Sequence, residues 1–248
     1  MSPLPDEPRV EQLCIIADSA DSAVARRRVA SGLSVGVVGP KIRWRGTGPG
    51  AVVTDGRALL RHWRAPLMLA VLLALLQVTG ARAAFEYRRT AVLHGELWRL
   101  MTSSLVHLGW VHLLRDLVGL FLIWGLFARQ LSEWTCLWVL TASALLVGLG
   151  LLIFSPEIGW YVGISGALFG LFCAGALCEL RTRPLYGGAL LLGMGAIVGW
   201  TLYAGALPDE TVGLGGQVVP QAHLYGALGG AACMLLRRTP RAAPAAVR

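Results

Sequence analysis

From residue 65 onward the chain consists of long apolar runs separated by short polar interruptions. Six such runs, at approximately 65–81, 108–128, 134–154, 161–178, 185–207 and 221–236, are each near the length that a membrane-spanning helix needs, which is about 20 residues. The expected architecture is an all-α polytopic membrane protein, a bundle of six transmembrane helices. The first run lacks a small-residue cleavage site followed by a soluble domain, so it reads as a retained span. Residues 1–60 differ: mixed charge, the triplet Arg26-Arg27-Arg28, several Gly and Pro, and no sustained apolar period. That composition predicts a segment without stable structure of its own. A brief alternation from Leu33 to Val38 suggests a strand, but a single strand has nothing to pair with.

Composition agrees with this pattern. Of the 248 residues, 55% are hydrophobic and 15% charged, and the mean hydropathy is +0.61, too apolar for an ordinary soluble domain. A formal charge of +8 would suggest nucleic acid in a soluble protein. Here the arginines lie in the N-terminal segment and at the ends of apolar runs, and no basic helix with interleaved aromatics occurs, so no nucleic-acid partner is expected. The charge reads as topology. Arg57, Arg61 and Arg64 precede the first run, Arg129 follows the second, Arg181 and Arg183 the fourth, and Arg237, Arg238 and Arg241 the sixth, whereas 155–160 and 208–220 carry no Arg or Lys. By the positive-inside rule both termini are cytoplasmic and the loops after runs one, three and five are external. The segment 82–107, with Arg82, Arg88, Arg89 and Arg99, conflicts unless it is a folded loop whose arginines are partly paired. Cys14, Cys136, Cys173, Cys178 and Cys233 form no CxxC pair, so neither a disulfide framework nor a metal cluster is indicated.

With this topology the second, fourth and sixth helices start at the outer face, and His112, Ser165 and His223 fall in their first turns. They share a depth shallow enough for water to reach, within roughly 10 Å of the mouth at about 1.5 Å rise per residue. Polar groups at membrane depth are costly, so a serine and a histidine that can meet there ask for a functional explanation. Neutral imidazole is the base suited to activating a serine near pH 7, which makes Ser165 and His223 a candidate dyad. Oxyanion donors are available in His112 and the Ser165 backbone N–H, with Asp116 one turn below His112. Gly163 and Gly166 leave room for a substrate backbone beside the serine. The pairs Gly166/Gly170 and Gly226/Gly230 give GxxxG faces that would draw the two helices together. Each element also has a structural reading: small residues pack membrane helices, and a membrane histidine can serve hydrogen bonding alone. His107 and His112, five residues apart and without HExxH, do not match a metal site. Trp98, Trp110, Trp160 and Tyr161 read as interface anchors.

Order and location together go further. Glu96-Leu97-Trp98-Arg99, the pair His107 and His112, Gly163-Ile164-Ser165-Gly166, and the run Ala222 to Gly230 resemble the Trp-Arg, His, GxSG and AHxxGxxxG motifs of the rhomboid intramembrane serine proteases. The likeness covers about residues 60–240, and the stretch Tyr161 to Leu171 looks most like the rhombosortase subfamily. It implies a six-helix protease core over 61–240, flanked by an N-terminal cytoplasmic segment, 1–60, and a basic tail, 241–248. It implies Ser165 as nucleophile, His223 as general base and acid, His112 as oxyanion donor, and Phe169 as the aromatic packed on the dyad histidine. Trp98, Arg99, His107, Gly226 and Gly230 would then be structural. No metal or cofactor is implied. The implied partners are the lipid bilayer and single-pass membrane-anchored protein substrates, of the type with a C-terminal Gly-Gly motif, apolar helix and basic tail. The implied location is a bacterial inner membrane with the site facing outward.

One residue departs from that pattern. Most rhomboids carry Asn where this chain has Asp116, and an ionised carboxylate accepts hydrogen bonds without donating them. The expectation is an active enzyme in which Asp116 is protonated or turned aside, with Arg115 snorkelling to the surface. The rival reading motivated by the same residue is an inactive rhomboid-like protein that binds membrane clients.

Overall fold

The computed structural model describes residues 62–205, 216 and 218–236. The expectations for 1–60, for Leu33–Val38, for most of the loop 208–220, for Arg237, Arg238 and Arg241, and for the tail 241–248 lie outside the described residues. Within them each apolar run contains one long helix: α1 Arg64–Val78, α5 Trp110–Leu126, α6 Glu133–Phe154, α7 Ser165–Thr182, α8 Pro184–Ala204 and α9 Pro220–Leu236. The segment between α1 and α5 holds shorter pieces: α2 Arg82–Phe85, β1 Tyr87–Arg88, α3 Arg89–Leu93, α4 Arg99–Thr102 and a 3₁₀ turn, Ser103–Leu105. A second two-residue strand, β2 Trp160–Tyr161, lies between α6 and α7.

By length and composition α6 and α8 can each cross a membrane, and Arg99–Leu105 with α5 passes the same test as a broken span bent by 91°. α1 is apolar but shorter. Helix limits follow local chemistry. Ser132 caps α6, its hydroxyl accepting from the Thr135 N–H at 3.3 Å. Glu133 in the first turn places a carboxylate where the helix dipole favours it and accepts from the Ala65 N–H at 2.8 Å, tying α1 to α6. Pro184 opens α8, at a position where its missing N–H costs no bond.

At the centre, α7 and α9 pack backbone on backbone through the glycine faces anticipated from their spacing. A Cβ on Gly226 would overlap the Gly166 carbonyl, and one on Gly230 would overlap the Gly170 carbonyl. Ser143 of α6 fits against Gly170 and Gly229, so three helices meet at small residues. Beside this seam lies an apolar core that includes Leu73, Leu113, Leu120, Trp124, Phe127 and Leu171. α8 is different: only its Gly187 and Val198 are buried, and Gly193, Gly195 and Gly199 face open space.

The segment 82–107 is folded, and its arginines are occupied. Arg82 and Arg88 both reach Glu86, at 3.2 and 2.6 Å. Buried Arg99 bonds Glu96 at 2.7 Å and donates to the carbonyls of Ala83 and Glu86 at 3.1 and 2.8 Å. Arg89 donates to the Leu152 carbonyl at 2.7 Å, satisfying an orphan acceptor at the end of α6. β1 and β2 pair antiparallel, Tyr87 opposite Tyr161 and Arg88 opposite Trp160. This small ladder is a departure from an all-helical chain. It fixes the segment leading into α7 against the folded loop.

Candidate active site

Ser165 is the first residue of α7, where the backbone N–H groups have no carbonyl one turn earlier to bond. The approach to it is shaped by Gly163, whose φ of +114° is a conformation L side chains rarely adopt. The Gly163 N–H donates to the Ser103 carbonyl at 3.0 Å, and its carbonyl accepts from the Tyr161 phenol at 2.9 Å. Both ends of this glycine are thereby held, which aims the serine. Tyr161 is 4% exposed, so it is not the interface anchor its sequence position suggested. Burial pushes its phenol well above the ordinary range, the Asp116 charge adding to this and hydrogen bonding toward Ser165 opposing it. It stays a donor at any physiological pH. Trp98, Trp110 and Trp160 are about half exposed, as anchors are.

His223 lies in the first turn of α9. Its Nε2 is 3.1 Å from the Ser165 Oγ, a hydrogen-bonding distance. The Phe169 ring, one turn after Ser165, lies flat on the imidazole, with centroids 4.3 Å apart and planes 14° from parallel. The glycine seam sets this distance: Gly166 follows the serine directly, and a Cβ there would come within 2.9 Å of the Ala222 carbonyl beside His223.

The third group comes from the start of α5. His112 faces Gly163 closely enough that a Cβ there would be 2.8 Å from its Cε1 and Nε2. A long contact, 3.5 Å, runs from the Leu108 N–H to Nδ1, which leaves the proton of the neutral ring on Nε2. That Nε2 is 3.4 Å from Asp116 Oδ2, and the same oxygen is 3.1 Å from His107 Nε2. Asp116 thus bridges two histidines whose rings meet edge to face, 5.1 Å between centroids. His107 itself is in the bend between the 3₁₀ turn and α5 rather than in the helix, and its burial is nearly complete. The Asp116 side chain is thus turned toward the two histidines.

Ser165, His223, Phe169, His112, Asp116 and Tyr161 line one cavity of about 290 Å³, together with Arg115, Trp160, and Ile197 and Thr201 of α8. It lies at the end of the bundle where α5, α7 and α9 begin and α8 ends. A second, mostly apolar cavity of about 300 Å³ lies between α5, α7 and α8 and shares Phe169 and Ile197 with the first.

Residues 94–239, more than half of the chain, match the Rhomboid domain. The chain belongs to the rhomboid family. A relative from Bacillus subtilis (strain 168), YdcA, described as a candidate rhomboid protease, is 38% identical over 81 residues, which is 33% of this chain and 41% of that protein. The match therefore spans well under two thirds of the relative's length. Family membership and the apolar helices make the chain an integral membrane protein. Within the rhomboid domain the dyad candidates, His112 and the glycine seam all fall inside the matched range, and so does the Trp98-Arg99 pair that ties the folded loop together. Tyr161 and the β1–β2 ladder were not legible as site elements: a tyrosine at a helix mouth looks like a membrane anchor, and a two-residue strand leaves no periodicity.

Proposed function

We propose that this protein is an intramembrane serine endopeptidase with Ser165 as nucleophile and His223 as general base and acid. The observation that carries the proposal is the 3.1 Å bond between the Ser165 Oγ and the His223 Nε2 beside a cavity. The neutral imidazole accepts the serine proton as Oγ attacks a substrate carbonyl, forming a C–O bond and a tetrahedral oxyanion. The Ser165 N–H, at the positive end of α7, and the His112 Nε2–H are its donors. The C–N bond then breaks, His223 protonates the leaving amine, and an acyl-serine remains. Water entering through the cavity attacks this ester, again with His223 taking the proton, and Ser165 is regenerated as the acid leaves.

In this proposal the six long helices all span the bilayer, both termini are cytoplasmic, and the cavity faces the periplasmic side of a bacterial inner membrane. The core runs from 61 to 240, with 1–60 and 241–248 as cytoplasmic extensions. Substrates are single-pass proteins cut near the outer end of their anchor, of the Gly-Gly type that the rhombosortase subfamily is thought to process. The sparse packing of α8 and the apolar cavity beside it support lateral entry of such an anchor between α5 and α8.

The test is co-expression with a Gly-Gly-tailed membrane reporter. Wild type processes it, and Ser165→Ala and His223→Ala do not. Equal processing by all three would overturn the assignment. Labelling by a serine-directed fluorophosphonate separates this reading from that of an inactive client-binding rhomboid, which would not be labelled at Ser165.

A further inference from the structure

Arg115 is exposed, lies one position before Asp116 on α5, and lines the same cavity as Ser165, His112 and His223. It is about 7.5 Å along the helix from Trp110, at roughly 1.5 Å per residue, so a charge there is inside the outer part of the bundle. A guanidinium at such a depth is costly unless it meets water, a counter-charge or a polar cavity. Among the described residues no carboxylate pairs with it. Asp116, the other charged residue lining the cavity, has its Oδ2 directed at His107 and His112. Most of the remaining lining is apolar or aromatic, including Leu108, Val162, Phe169 and Ile197. The cavity that Ser165 lines therefore also carries a cation that none of the described carboxylates answers.

We infer that Arg115 is a specificity residue that receives a carboxylate of the substrate, an Asp or Glu side chain close to the scissile bond. This rests on the protease reading above. Arg115 and Ser165 line the same cavity, so the acidic residue would lie within a few positions of the cut. Guanidinium is suited to the role because its planar fork can pair both carboxylate oxygens and it stays charged throughout the working pH range. The same cation would also raise the local concentration of an acidic segment arriving from the aqueous side. Neutral anchors would still be cut, more slowly.

The experiment uses the full chain reconstituted in phosphatidylcholine vesicles, with and without phosphatidylglycerol. Gly-Gly-tailed reporters carry a single Asp, Asn or Lys moved stepwise through the residues around the cut. Wild type is expected to cleave the best Asp reporter with kcat/KM about tenfold above its Asn counterpart, the discrimination of one charge-assisted bond in a partly wet site. Arg115→Gln should bring that ratio near unity, and Arg115→Glu should shift preference to Lys. A Ser165-dependent reaction with equal rates for Asp and Asn, or an Arg115→Gln effect equal on all reporters and dependent on phosphatidylglycerol, would overturn the inference. The latter would assign the cation to lipid phosphate. Cleavage that persists in Ser165→Ala would instead sink the protease reading and the inference with it.

Discussion

Phe169 lies nearly parallel to His223, 4.3 Å from centroid to centroid, and so blocks one face of the imidazole whose edge meets Ser165. Soluble serine hydrolases orient the base with a carboxylate. In the proposed dyad, among the described residues, an aromatic plane would take that part. The choice fits the surroundings, since a buried carboxylate beside the base would need its own partners in a medium that supplies few. One turn of α7 separates Ser165 from this ring, so a single helix positions both the serine and the plane that lies on His223.

Removing that plane should slow acylation without removing either reacting group. Phe169→Ala is expected to reduce the rate of fluorophosphonate labelling by about two- to tenfold, in line with roughly 0.5–1.5 kcal/mol for an aromatic pair. Phe169→Tyr should stay near wild type. An Ala variant that labels at the wild-type rate would show that the histidine is held by something else.

The glycine seam predicts a sharp contrast between two superficially similar substitutions. Gly226→Ala pushes a methyl into the Gly166 carbonyl and should cost about 1–3 kcal/mol, the range for overpacking, with loss of labelling because α7 and α9 separate. Gly195→Ala on α8 meets nothing within 4 Å and should be neutral or stabilising by about 0.4–1 kcal/mol. Thermal unfolding in detergent reads both. Equal effects would mean that the seam does not set the Ser165–His223 distance.

How far the site could be read in advance depended on the range of the signal. The six long helices announce themselves as long apolar runs, and Gly166, Gly170, Gly226 and Gly230 announce their contact because only a missing side chain allows backbones to touch. Ser165 and His223 were legible as polar residues at matching depths. Tyr161 was not, since its role depends on the Tyr87–Tyr161 pairing across more than seventy residues, a contact with no local pattern. The orientation of Asp116 was also beyond reach: residue type allows donor or acceptor, and the gathering of His107 and His112 around one oxygen depends on the bend before α5, which leaves no local pattern.

Tyr161 gives a pH dependence of known sign. Its ordinary phenol value is 10.0 and burial raises it in the folded protein, so above that value the unfolded chain has lost the proton while the folded chain still holds it. The folded state then binds more protons, and stability falls as pH rises, while below pH 10 this group contributes no slope. Thermal unfolding followed from pH 8 to 11 should show a fall beginning near pH 10 that is smaller in Tyr161→Phe. The same variant should be less stable at pH 8, because the Gly163 carbonyl loses its donor. An unchanged alkaline slope in Tyr161→Phe would mean that other groups produce it.

Asp116 offers the most discriminating substitution, because its two functions respond differently to the loss of charge. Its Oδ2 pairs with the His107 Nε2 at 3.1 Å and lies 3.4 Å from the His112 Nε2, and an amide oxygen can replace it in that role. As a negative charge it opposes the oxyanion that forms next to His112, and an amide removes that opposition. Asp116→Asn should therefore keep or raise kcat on the Gly-Gly reporter. Asp116→Leu leaves His107 without its Asp116 partner and His112 unguided, and should cost about a hundredfold, the scale of losing one oxyanion donor. Measuring unfolding beside kcat separates a misplaced donor from a collapsed fold. Abolition of cleavage by Asp116→Asn, with stability intact, would show that the carboxylate's charge itself is required and that the acceptor role assigned to it is incomplete.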